Sequence, residues 1–202
     1  MALSSYYYDK HEREVLCVAF FPGARFICSG AKDGSIILFD VDRKLIRFAG
    51  GHKKEVHCVS FSANGTLFCS GSDDNTVKVW NTKTGQNTFT FEGHTALVHS
   101  AVFSPDEKTI CSGSWDKKVL IWDANNGAIL KTFEHPKPVN CVAFSYDGNT
   151  ICTGSKDKNV RIWNIETGII QSILNGHTDW VNCVAFSPTD INIACSGSMD
   201  KT

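Results

Sequence analysis

The chain has 202 residues, 42% of them hydrophobic and 20% charged, which is long and apolar enough to bury a substantial core. Its 20 basic and 21 acidic residues leave a formal net charge of −1 and form no basic stripe, which argues against nucleic acid or an anionic membrane as partner. The opening stretch MALSSYYYDKHERE has no apolar run of the secretory kind, and the longest apolar run, residues 15–21, is too short to cross a bilayer. Nine cysteines without such a signal imply free thiols in a reducing compartment, cytoplasmic or nuclear.

Self-similarity organises the chain. His11, His52, His94, His135 and His177 stand 41 or 42 residues apart. Nine residues after each histidine comes a phenylalanine: Phe20, Phe61, Phe103, Phe144 or Phe186. Eighteen after come Ser29, Ser70, Ser112 and Thr153, while Ser196 comes at nineteen. Four further on are Asp33, Asp74, Asp116, Asp157 and Asp200, and six beyond the first four of those are Phe39, Trp80, Trp122 and Trp163. These columns divide the chain into an opening strand over 1–10, full units over 11–51, 52–93, 94–134 and 135–176, and a partial unit over 177–202.

Within the second unit, the strand VHCVSF is followed by a tight turn at Asn64 and Gly65, then TLFCS, the turn GSDDN, TVKVW, the turn NTKTGQ and NTFTF. β-Branched and aromatic residues fill the strands, and Gly, Asn and Asp fill the turns. The other units repeat this plan, and no segment carries a helical period. Four strands per unit of this length predict blades around a central channel, each burying its faces against its neighbours. The fifth unit supplies only two strands, so the series is expected to belong to a longer ring. One of the two hairpin registers open to the first unit sets Cys17 opposite Cys28.

The Gly-His pairs at Gly51-His52, Gly93-His94 and Gly176-His177, the aspartate turns, and the dipeptides Trp80-Asn81, Trp122-Asp123 and Trp163-Asn164 resemble the WD-repeat β-propeller family along essentially the whole chain. The resemblance implies an all-β propeller, open or truncated, with four complete four-stranded blades and a partial fifth. It implies that 1–10, carrying Tyr6 and Tyr8, is the outermost strand of a last blade and a true beginning. It also implies a hydrogen-bonded tetrad inside each blade: His52, Ser70, Asp74 and Trp80; His94, Ser112, Asp116 and Trp122; His135, Thr153, Asp157 and Trp163. In the first unit Phe39 has no N–H, so His11, Ser29 and Asp33 form at most a triad.

Ser, His and Asp are also the residue types of a nucleophilic triad. Here the set recurs in every unit, with no G-x-S-x-G elbow, which is the mark of a structural role. The cysteines likewise follow the repeat, six after the histidine or just before the Ser or Thr, with no C-x-x-C spacing. That pattern fits small packing residues rather than zinc ligands. No phosphate loop or paired-carboxylate cleft is present, so neither catalysis nor a cofactor or metal is expected.

What remains is surface. The family's contact positions fall just before each turn aspartate, at Lys32, Asp73, Trp115, Lys156 and Met199, and three and five residues past each histidine. The latter include Glu55 and His57, Leu97 and His99, Asn140, and Trp180 and Asn182. These positions vary from unit to unit, and Trp115 and Trp180 are the candidate anchors. The expectation is a non-enzymatic scaffold or peptide-recognition module for other proteins. The alternatives are an enzyme built on a propeller, marked by a non-repeating polar cluster at the channel mouth, or a truncated product with no function of its own.

Overall fold

A computed structural model describes residues 11–23, 25–42 and 45–202, with 45–49 described by backbone alone. The expected strand over 1–10 lies outside these residues. The strands are β1 (Val15–Phe20), β2 (Phe26–Ala31), β3 (Ser35–Asp40) and β4 (Leu45–Gly51), then β5 (Val56–Phe61), β6 (Leu67–Ser72), β7 (Thr76–Asn81) and β8 (Asn87–Glu92). They continue with β9 (Val98–Phe103), β10 (Thr109–Ser114), β11 (Lys118–Asp123) and β12 (Ile129–Glu134), then β13 (Val139–Phe144), β14 (Thr150–Ser155), β15 (Val160–Asn164) and β16 (Ile170–Leu174), and end with β17 (Val181–Phe186) and β18 (Ala194–Ser198). Each run of four forms an antiparallel meander, and β17 pairs with β18 in a two-stranded sheet. No described residue is helical.

The hydrophobic core lies between blades rather than within one. Phe26, Cys28, Ile36 and Leu38 of the first blade pack on Val56, Val59, Phe68 and Trp80 of the second. Val77, Val79 and Phe91 pack in the same way on Val98, Ala101 and Trp122, and Cys111, Val119 and Phe133 on Val139, Val142 and Trp163. The blade-to-blade approach is close enough to require glycine in the second strand. A Cβ on Gly71 would stand 2.7 Å from Val98 Cγ1, and one on Gly113 would stand 2.8 Å from Val139 Cγ1.

The first strands stand side by side, β1 by β5, β5 by β9, β9 by β13 and β13 by β17. No comparable contact joins β17 to β1 among the described residues, and the ring is open. Val18 is 61% exposed, whereas its repeat equivalents Val59, Ala101 and Val142 are buried by the preceding blade. At the other end Cys183 and Cys195 are exposed, while Cys69, Cys111, Cys141 and Cys152 are buried.

Every first strand carries a bulge at the same repeat position. Val56 pairs with Ser72 and Cys58 with Gly71, leaving His57 between them without a partner. The same displacement leaves out Leu16, His99, Asn140 and Asn182. An extra residue on one strand bends the pair locally and re-aims the unpaired side chain. Past the bulge, Cys17 stands opposite Gly30 and Cys28 opposite Ala19, so the two cysteines do not face each other across the hairpin.

Candidate functional site at the channel mouth

The internal network of each blade fixes the turns that carry the surface positions. In the second blade Trp80 Nε1 donates to Ser70 Oγ at 2.8 Å, Ser70 meets His52 Nε2 at 2.7 Å, and His52 Nδ1 meets Asp74 Oδ2 at 2.9 Å. Asp74 also accepts from Lys53 N, Thr76 N and Thr76 Oγ1. Burial would raise the Asp74 pKa, but the hydrogen bonds from His52 and Thr76 outweigh it and hold the carboxyl well below the usual range. The third blade repeats the chain, with Trp122 to Ser112 at 2.7 Å, Ser112 to His94 at 2.8 Å and His94 to Asp116 at 2.8 Å. In the first blade His11 bonds Ser29 and Ser35, and Asp33 is reached through the Ser35 backbone rather than directly. In the fifth, His177 bonds Ser196 and Asp200.

The fourth blade departs from the expected tetrad. Trp163 donates to Thr153 at 3.1 Å and Thr153 meets His135 at 2.9 Å, but His135 Nδ1 is buried without a partner. Asp157 is taken instead by Arg161, at 2.6 Å to Nη2 and 3.1 Å to Nη1. Pro136 accounts for one of the missing donors. In the other blades the residue after the histidine donates its backbone N–H to the aspartate, from Glu12, Lys53, Thr95 and Thr178. Proline has no N–H to give. The guanidinium, two residues before Trp163, lies against the carboxylate instead: Nη1 donates to Oδ1, while Oδ2 has the close charge of Nη2 but no hydrogen-bond donor among the described residues.

Backbone hydrogen bonds bring the variable columns together. The N–H of each residue before the turn aspartate donates to the carbonyl three past the histidine: Lys32 to Glu14, Asp73 to Glu55, Trp115 to Leu97, Lys156 to Pro138 and Met199 to Trp180. The bulged residue follows two later. The side chains of these three columns then interlock across blades. His57 Nε2 bonds Asp73 Oδ1 at 2.6 Å. The His57 and His99 rings stack with centroids 5.0 Å apart, and His99 stacks on Trp115 at 6.4 Å. The ammonium of Lys156 lies 3.3 Å from the centroid of Trp115 and 3.8 Å from that of Trp180.

Beneath this row, His99 Nδ1 bonds the carbonyl of Asn140, and Asn140 Nδ2 donates to Val181 O and to Asn182 Oδ1. Burial pulls the His99 pKa below its ordinary value, against the hydrogen bond to the Asn140 carbonyl, and His57 and Lys156 add to the lowering. Desolvation also lowers the pKa of Lys156. Lys32 is drawn aside by Glu14 at 3.5 Å, Leu97 is half-buried, and Met199 is exposed.

Glu55, His57 and Asp73 place three potential ligand atoms within 4.8 Å of one another, the chemistry of a divalent cation site. No cysteine spacing announces it: His57 lies in β5, Glu55 just before it and Asp73 in the turn after β6. Here His57 and Asp73 bond each other directly.

A fan of four-stranded antiparallel blades, with a Trp, Ser, His and Asp chain inside the second and third, defines a repeat protein of the propeller class. The WD domain, G-beta repeat, family model matches five times, over residues 4–40, 43–81, 85–123, 127–164 and 168–202, and the chain belongs to the WD-repeat family. Members of this family generally serve as protein-interaction scaffolds. No curated relative matches the chain.

Proposed function

We propose that the chain is a non-enzymatic recognition module that holds a peptide segment of another protein on the face built by His57, Asp73, His99, Trp115, Lys156 and Trp180. The observation that carries this reading is the inter-blade row itself. Two half-exposed tryptophans, at 37% and 40%, are held by neighbours from other blades and offer rigid apolar area beside polar groups. Such pre-organised aromatic anchors lose little freedom on binding. The nine cysteines are unpaired, which fits an intracellular, reducing setting.

The non-repeating cluster at the channel mouth raises the competing enzymatic reading, since His57 and Asp73 form an acid–base pair. A nucleophilic mechanism also needs a hydroxyl or thiol at the imidazole's reach. Among the described residues, none bonds His57. The recognition reading is tested by selecting ligands from a displayed random-peptide library and measuring them against Trp115→Ala and Trp180→Ala. Losses of tenfold or more in both support it. Ligands indifferent to both substitutions place recognition elsewhere.

A further inference from the structure

Lys156 is the least satisfied charge on this face. Its ammonium sits against two indole faces, which stabilise a cation but accept no conventional hydrogen bond. No carboxylate or carbonyl among the described residues pairs with it, in contrast to Lys32, Lys78 and Lys118, which find Glu14, the Gly51 carbonyl and Glu134. The indoles fix the position of the ammonium and leave its N–H donors without a protein acceptor. Among the described residues, Trp115 and Trp180 Nε1 are also without a bonded acceptor, unlike Trp80, Trp122 and Trp163. In the neighbouring bulge position, Asn140 Oδ1 is a buried acceptor without a hydrogen-bond partner among the described residues. Its orientation is fixed, because Nδ2 is committed to the Val181 carbonyl.

We propose that Lys156, held between Trp115 and Trp180, is the receptor for a side-chain carboxylate, and that the partner segment recognised on this face is an acidic peptide. This rests on the recognition reading above and names its chemistry. A single ammonium held between two indoles matches the single charge of Asp or Glu. A phosphate carries up to about twice that charge, which a lone ammonium leaves largely unneutralised. Glu55 and Asp73 at the other end of the row repel a second carboxylate, so one acid at a defined position is preferred over an acidic run.

The test uses the full chain, immobilised, and capped dodecapeptide libraries that differ only in one fixed central residue: Glu, Gln, Lys, trimethyl-lysine or phosphoserine. The Glu library is expected to be retained at least fivefold better than the Gln library, with the Lys libraries below both. Lys156→Gln is expected to erase the Glu preference, and Lys156→Arg to keep it. Preference for trimethyl-lysine would overturn the proposal, because the two tryptophans would then be a cation cage that Lys156 merely fills. Preference for phosphoserine, or a Glu preference that survives Lys156→Gln, would overturn it as well. Retention of all libraries alike, lost in Trp115→Ala, would leave the face a peptide reader without acidic selectivity; retention of none would remove both readings.

Discussion

The carboxylate of Asp157 is bound by the guanidinium of Arg161 at 2.6 Å, and His135 has lost the acceptor that His52 and His94 keep. Pro136 and Arg161 therefore act as a pair: one removes a donor from the turn and the other replaces it. Arg161→Leu is expected to cost about 3 kcal/mol, since it leaves a buried carboxylate with too few donors. Pro136→Thr restores the backbone donor that Thr95 supplies in the third blade. The double variant should recover more than half of the loss in urea unfolding. Strict additivity of the two substitutions would show that the proline is not the cause.

The same displacement makes the fourth blade acid-sensitive. Desolvation, with Arg161 adding to it, pulls the His135 pKa down from 6.5 to about 4. A histidine depressed in the folded state binds fewer protons than in the unfolded chain, so it costs the fold nothing above pH 6.5, and the folded state loses stability as pH falls from there toward 4. The two pKa values set the scale at about 3 kcal/mol. Unfolding midpoints taken from pH 7 to 4.5 should fall steadily, and His135→Gln should flatten the slope over that range. An unchanged slope in the variant would assign the acid sensitivity to other groups.

Much of this architecture was legible because it is local. Strand alternation, the Asn-Gly turn at Asn64 and Gly65, and the Ser, Asp and Trp columns each depend on a few adjacent residues. The bulge that re-aims Leu16, His57, His99, Asn140 and Asn182 was not legible, because it is a property of two paired strands. It also decided between the registers of Cys17 and Cys28. The contact of Lys156 with Trp115 and Trp180 was hidden for a related reason: its three residues come from three blades, and their meeting depends on how blades rotate about the channel. Pro136 and Arg161 were visible throughout. Their meaning required knowing that the residue after each histidine donates to the turn aspartate.

The aspartates should differ in weight from blade to blade. Asp116 accepts from His94 Nδ1, Thr95 N and Lys118 N, and His94 is buried. Asp116→Ala strands these donors and is expected to cost on the order of 1–3 kcal/mol. Asp33 accepts from Glu12 N and Ser35 N, while His11 keeps its bonds to Ser29 and Ser35. Asp33→Ala is therefore expected to cost less. Urea unfolding of the two variants compares them directly, and equal losses would reject the network as the source of the difference.

The open ring leaves two unlike surfaces. The first blade presents Val15, Val18 and Phe20, exposed to 53%, 61% and 65%, where every later blade has a neighbour packed on the equivalent strand. The fifth presents β17 and β18 with Cys183 and Cys195 exposed and the outer edge of β18 without a paired strand among the described residues. An apolar blade face at one end and a free strand edge at the other are complementary between copies rather than within one. Association of this head-to-tail kind does not close on itself unless the rotation permits a ring. Sedimentation of the 202-residue chain is expected to show concentration-dependent association under reducing conditions. Val18→Glu should shift the population toward monomer while leaving the unfolding midpoint within about 0.5 kcal/mol, because an exposed side chain contributes little to the folded core. A single compact monomer at all concentrations would show that the exposed blade face does not drive self-association. Loss of stability in Val18→Glu would show instead that Val18 is covered within one chain.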